Sequence, residues 1–338
     1  MTNSASPPLM AALSGVRPDR LPIWFMRQAG RSLPEYRNLR RGVPMLEACL
    51  QPELTAEITC QPVRRHGVDA AVFFSDIMVP LALAGVEVSI TAGIGPVFAE
   101  PIRRVADVDA LTSRRIGDGD AITHAVGLVV EELGAATPVI GFAGAPFTLA
   151  AYLVEGQGSR DHLAARSFMQ AEPQAWDRLL TWCAELSADF LRLQVSGGAT
   201  AVQLFDSWAG ALTETDYATR VAPYSQLVLQ SVEVPRIHFG TGTGHLLEAF
   251  GRCDSEAVGI DYRTPLDEAA RRLPDRVLQG NIDPARLSAG WDNLAAHARE
   301  VVDRGRAAPA HIVNLGHGVP PDTDPAVLTD LVALVHEL

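Results

Sequence analysis

Apolar residues fall into short runs of strand length, separated by longer stretches with helical spacing. The runs are Pro22–Met26, Ala70–Phe74, Pro138–Phe142, Ala201–Phe205, Arg236–Phe239, Ala257–Ile260, Val277–Gly280 and His311–Leu315. Each is continuous rather than alternating and gives way to charged residues, glycine or proline, the pattern of strands buried on both faces. Among the helical stretches, Trp176–Val195 is the clearest, with Leu179, Leu180, Cys183, Leu186, Phe190 and Leu193 on one face. Leu266–Leu273 and Trp291–Val302 repeat the pattern more briefly. Eight such units predict an α/β fold, a single-domain (β/α)8 TIM barrel. An open doubly wound sheet is second, because no Gly-x-Gly-x-x-Gly follows any strand. The alternation in Val86–Ile90, followed by Gly93–Phe98, predicts an extra β-hairpin after strand 2. The expected organisation is a flexible N-terminal segment over residues 1–15 and one barrel domain over 16–338.

Charge and composition narrow the function. A net charge of -12 argues against nucleic acid as a partner, which requires a basic face. All 28 basic residues are arginine. Without lysine, Schiff-base chemistry, lysine-linked pyridoxal phosphate and the Gly-Lys-Ser/Thr phosphate loop are all excluded. No run reaches the roughly 18 apolar residues of a membrane span, and the N-terminus does not read as a secretory signal. Cys49, Cys60, Cys183 and Cys253 lie far apart and read as reduced thiols of a cytoplasmic protein.

The candidate chemistry sits at the strand ends, where barrels carry their active sites. Arg27 directly adjoins the first apolar run and opens a loop with Gly30 and Arg31, a combination suited to an anion. For Arg37, Arg40 and Arg41 the better reading is a solvated face with surface ion pairs. Asp206, Asp261 and Asp283 read better as helix caps than as functional acids. Asp76 is harder to dismiss, since it lies between Phe73-Phe74 and Ile77-Met78-Val79 and needs a partner if buried. His317, between Gly316 and Gly318, has a backbone free to approach a ligand; a satisfied core histidine is the second reading.

Six blocks in order resemble the uroporphyrinogen decarboxylase family. They are Pro22–Arg31, Phe74–Ile77, Gly141–Leu149, Tyr152–Gly156, Gln203–Gly210 and Asn314–Gly318, and the resemblance covers nearly the whole chain. Departures such as Met78 and Leu153 touch no polar role. The resemblance implies stepwise decarboxylation of the four acetates of uroporphyrinogen III to coproporphyrinogen III, with no metal or organic cofactor, by a homodimer whose clefts face each other. It also implies roles. Asp76 would accept hydrogen bonds from the pyrrole NH groups and stabilise the protonated ring. Arg27 and Arg31 would engage substrate carboxylates, with Arg27 also helping to deliver a proton. Tyr152, Ser207 and His317 would contact substrate, while Gln28, Ala29 and Gly30 would form the pocket floor and offer backbone donors. Phe142, Phe147 and Phe205 either wall the macrocycle or pack the core.

A pyrrole ring can accept a proton and then the electron pair released as CO₂ leaves, so a lysine-free protein suffices. One rival is a zinc-dependent corrinoid methyltransferase of the same superfamily, which would carry a thiolate near His238; Gly240 stands there instead. The other is a non-catalytic tetrapyrrole-binding barrel, which would use the same arginines.

Overall fold

The computed structural model describes residues 6–91 and 93–338. Its parallel sheet is built from β1 (Ala71–Val72), β4 (Val139–Gly144), β5 (Ala201–Asp206), β6 (Arg236–Gly240), β7 (Ala257–Gly259), β8 (Val277–Gln279) and β9 (His311–Ile312), side by side in that order. These coincide with seven of the expected runs. The continuous apolar pattern has the expected cause: strands β4, β7 and β8 are buried at every residue, between the barrel interior and the helix layer.

The remaining run, Pro22–Met26, occupies the eighth stave without forming a regular strand. On one side it makes a parallel bridge between Ile23 and Val313. Trp24 donates to the Val313 carbonyl at 3.3 Å, and Val313 donates to the Pro22 carbonyl at 2.8 Å. On the other side Asp69 N–H donates to the Ile23 carbonyl at 2.9 Å. Side chains take the remaining donors: Ile23 N–H goes to Asp69 Oδ2 (2.9 Å), Phe25 N–H to Gln28 Oε1 (3.0 Å) and Met26 N–H to Asn314 Oδ1 (3.2 Å). Buried backbone groups must be paired, and here side chains substitute for a ladder. The barrel therefore closes through a few backbone hydrogen bonds completed by side chains.

The expected hairpin is present. β2 (Val88–Thr91) pairs antiparallel with β3 (Gly95–Phe98), from Val88 opposite Phe98 to Thr91 opposite Gly95. It is tied down by an antiparallel bridge from Val97 to Gln157 and by Phe98 N–H donating to the Gly156 carbonyl at 2.8 Å. The dominant helix runs Pro173–Ser196, slightly longer than its apolar spacing predicted. Proline opens it, where the missing N–H has no intrahelical role. Its buried face carries Trp176, Leu179, Leu180, Cys183, Leu186 and Phe190, whereas Leu193 is only half-buried.

The flexible segment expected over residues 1–15 requires correction. Residues 1–5 lie outside the described residues, but Pro8–Leu13 is helical, with Leu9, Ala12 and Leu13 buried in the main core. Apolar side chains at this spacing give the short helix a docking face, which anchors it. Among the described residues, no helix is long and apolar enough to cross a membrane. All four cysteines are buried and free.

Candidate active site

The C-terminal strand ends converge on Arg27. Its backbone lies in the left-handed region (φ 62°), which side chains other than glycine rarely adopt and which recurs at functional sites. The chain reverses there: Gln28 N–H donates to the Phe25 carbonyl (3.1 Å), and Val319 N–H donates to the Met26 carbonyl (2.9 Å). Two glycines make room for it. A Cβ on Gly30 would lie 2.8 Å from the Arg27 carbonyl oxygen, and one on Gly318 would lie 2.6 Å from Arg27 Cδ. The Asn314–Gly318 block and the Pro22–Arg31 block are thus packed against each other.

Asp76 follows β1. Its Oδ1 accepts the Met78 N–H at 2.9 Å, and among the described residues it forms no ion pair. One side is open to the cleft, yet burial still dominates its titration and raises the carboxyl pKa, opposed by the Met78 hydrogen bond and the Arg27 charge. Tyr152, on the helix Pro146–Glu155, has its phenol pushed up to about 12 by burial and then by Asp76, with Arg27 opposing. His317 is held below the usual imidazole range by burial, then by the charges of Arg27 and Arg263. One guanidinium therefore acts on Asp76, Tyr152 and His317 together.

Ser207 sits half-buried in the turn after β5, beside Trp208. Arg31 is exposed and forms no ion pair among the described residues; its carbonyl accepts a hydrogen bond from Arg37 Nη1 at 2.6 Å. Gln28 is fully buried, and its side chain bridges Phe25 N–H to the Ala70 carbonyl (3.0 Å each). Its own N–H is taken by the Phe25 carbonyl, so Gln28 holds the first stave and offers no backbone donor to a floor. Ala29 and Gly30 are half-buried beside it. Phe142, Phe205 and Phe239 form an edge-to-face row, with centroids 5.5 and 5.9 Å apart, and Phe205 is only partly covered. Phe147 belongs to the core, edge-on to Trp176 at 6.0 Å.

The expected caps divide. Asp283 caps the short helix Pro284–Ser288 through Ala285 N–H (2.9 Å). Asp206 points into the helix layer, where it accepts from Tyr217 Oη (3.1 Å) and Ser225 Oγ (3.3 Å). Asp261 accepts the N–H groups of Gly242 and Arg263 and pairs with Arg263 Nη1 at 2.6 Å. Neither of these two caps a helix.

Two aromatic neighbours of the site were not assigned from the sequence. Trp208 lies between Tyr152 (centroids 4.3 Å apart) and His162 (3.9 Å). Its place inside the Gln203–Gly210 block was the available signal. His162, with φ 49°, carried none. The donor set does not suit zinc. His238 faces Asp206 and stacks on Phe250 at 4.1 Å, and a Cβ on Gly240 would lie 2.6 Å from Thr243 Cγ2, leaving no space for a thiolate. Among the described residues, no three His, Cys, Asp or Glu side chains are grouped to hold a metal.

A parallel barrel that gathers arginines, a desolvated carboxylate and a tyrosine at its C-terminal strand ends is the architecture of a TIM-barrel enzyme. The sequence matches the family described as Uroporphyrinogen decarboxylase (URO-D) over residues 4–338. It is 57% identical to the uroporphyrinogen decarboxylase of Arthrobacter sp. (strain FB24), over 99% of this chain and 98% of that one. It is 56% identical to that of Nocardia farcinica (strain IFM 10152), over 98% and 96% of the two chains. The chain belongs to the uroporphyrinogen decarboxylase family. Among solved structures, a methyltransferase from Methanosarcina mazei superposes with a TM-score of 0.81 over 98% of this chain and 97% of that one, at 21% identity, which is a likeness of fold.

Proposed function

We propose that the chain removes CO₂ from the four acetate side chains of uroporphyrinogen III, giving coproporphyrinogen III in tetrapyrrole biosynthesis. The observation that carries this reading is the half-enclosed Asp76 carboxylate, set beside Arg27 and Tyr152 and free of any ion pair among the described residues. A carboxylate in that setting suits pyrrole N–H donors and the positive charge that develops on the ring.

In each step a proton adds to the ring carbon next to the acetate-bearing carbon, giving an iminium conjugated through the ring. The bond from the acetate methylene to its carboxylate then breaks. Its electron pair forms an exocyclic double bond, and CO₂ departs. A proton adds to the methylene carbon as the ring proton leaves, producing a methyl group and restoring the pyrrole. One proton is consumed for each CO₂ released. The ring is its own electron sink, so the cycle calls for no organic cofactor or metal. Asp76 stabilises the cationic ring, and Arg27 and Arg31 hold side-chain carboxylates. A guanidinium is a poor acid, so Arg27 relays or positions the proton. Tyr152, Ser207 and His317 orient the macrocycle.

The test is incubation with anaerobically reduced uroporphyrin, counting carboxyl groups on the product. Stepwise loss of four supports the reading. Recovery of the eight-carboxylate material at high enzyme concentration removes it in favour of a binding barrel.

A homodimer belongs to the same proposal. Ile94 at the hairpin turn and Leu163 beyond the loop bridged to it are 57% and 66% exposed, an apolar rim that a second copy would cover. Sedimentation at micromolar concentration decides: a fully active particle of 36.2 kDa excludes a required dimer. Four unpaired cysteines support a reducing, cytoplasmic setting.

A further inference from the structure

The end of β7 carries a guanidinium that none of the roles above uses. Asp261 is buried there, and its Oδ1 accepts the Arg263 N–H at 3.0 Å while Oδ2 pairs with Arg263 Nη1 at 2.6 Å. The Arg263 Cζ also lies 4.4 Å from the ring centroid of Tyr262. These contacts fix the group in orientation while leaving its side chain 54% exposed. Among the described residues, neither Nε nor Nη2 has a partner. That edge is the planar fork that holds both oxygens of a carboxylate.

Its location follows from two close approaches. A Cβ on Gly316 would lie 2.2 Å from the Tyr262 nitrogen, so the Gly316–Gly318 turn rests directly on Tyr262, the residue before Arg263. The other end of that turn rests on Arg27, as Gly318 shows. Arg27, His317 and Arg263 are thus laid side by side across one edge of the cleft. Burial and then both guanidiniums lower the His317 pKa, so both charges act at the same point.

We infer that Arg263 is a further carboxylate anchor of the cleft, taking a side-chain carboxylate of the macrocycle across the Gly316–Gly318 turn from Arg27. The inference rests on the proposed tetrapyrrole substrate. The plainer account is a half-exposed ion pair that only closes a loop. Against it, Asp261 already receives two backbone donors, from Gly242 and Arg263, so its burial does not depend on the guanidinium. Asp261 also cancels the net charge of the pair. What remains is directional recognition by a pre-set fork, with little long-range attraction.

The test is steady-state kinetics on uroporphyrinogen III with Arg263→Gln and Arg263→Lys, alongside thermal melting. Losing a charge-assisted bidentate contact predicts a KM raised roughly 10–100-fold in Arg263→Gln. Turnover at saturation should stay within about threefold, and melting should fall only slightly, because the buried Asp261 keeps its two backbone donors. Lysine should restore only part of the KM, because an ammonium lacks the fork. If Arg263→Gln does not fold, Arg263→Lys alone carries the test through its own, smaller rise in KM. Unchanged KM in the variants, or a loss confined to turnover, overturns the anchor. An inactive wild-type protein instead overturns the proposed function on which it rests.

Discussion

Asp206 Oδ2 lies 3.5 Å from His238 Nε2, and both side chains are fully buried in the layer between the sheet and the helices. Burial alone would keep the imidazole neutral. Asp206 and Cys253 together outweigh it and raise the His238 pKa to about 9, above its ordinary 6.5. A folded-state pKa above the unfolded one adds stability that is complete below pH 6.5 and is lost as pH rises through about 9. The melting temperature should therefore fall between those limits, and His238→Phe should flatten that slope. The substitution should also cost about 3 kcal/mol, because Asp206 keeps its hydroxyl donors but loses its counter-charge. Denaturant titrations at pH 6 and 9 measure both effects.

At Asp76 the fold disfavours the charged form instead. Burial raises its folded pKa, so the charged form is a destabilising feature at neutral pH, relieved as pH falls through that value. Asp76→Asn should melt no lower than wild type at pH 7 while turnover drops roughly 10²–10³-fold. The wild-type rate should fade on the acid side at a pH above the ordinary aspartate value of 3.8. Paired melting and pH–rate curves check this. A destabilised variant with normal turnover would mark Asp76 as a structural acid.

Arg31 is exposed and unpaired among the described residues, so its donors are available to a polyanion despite the net charge of -12. Arg31→Ala should raise KM by roughly tenfold or more, with Arg31→Lys intermediate. Contact dominates at this range, so moderate salt should alter KM only modestly. Initial rates across substrate and salt concentration suffice, and an unaltered KM in Arg31→Ala would return the residue to the solvated face.

Trp208, packed between Tyr152 and His162, limits where the Tyr152 ring can sit. Trp208→Ala should lower kcat/KM by roughly tenfold through a mispositioned Tyr152, whereas Trp208→Phe should keep most activity. In a Tyr152→Phe background the Trp208→Ala loss should change if the two act as a unit. Additive losses in that double-mutant cycle would show independent roles.

Local pattern made much of this protein readable before any tertiary contact was known. Seven parallel strands, the long helix from Pro173 and the hairpin at Val88–Phe98 each announce themselves within a few consecutive residues, because burial on two faces, helical spacing and alternation are local signals. Arg27, Asp76 and His317 were also visible, as polar residues where apolar runs end. Other assignments depended on partners distant in the chain. The first stave closes through Asp69, Gln28 and Asn314, so the apolar run could not reveal that it lacks a ladder. Asp206, Asp261 and Asp283 look alike in sequence, yet only Asp283 caps a helix, since the other two face His238 and Arg263. The Tyr152–Trp208–His162 stack and the contact of Gly316 with Tyr262 exist only once the barrel has closed. Sequence by itself determined the strands, their charged ends and the absence of lysine chemistry. Tertiary structure decided which of those ends share one cleft, because ring closure sets a side chain's neighbours irrespective of distance along the chain.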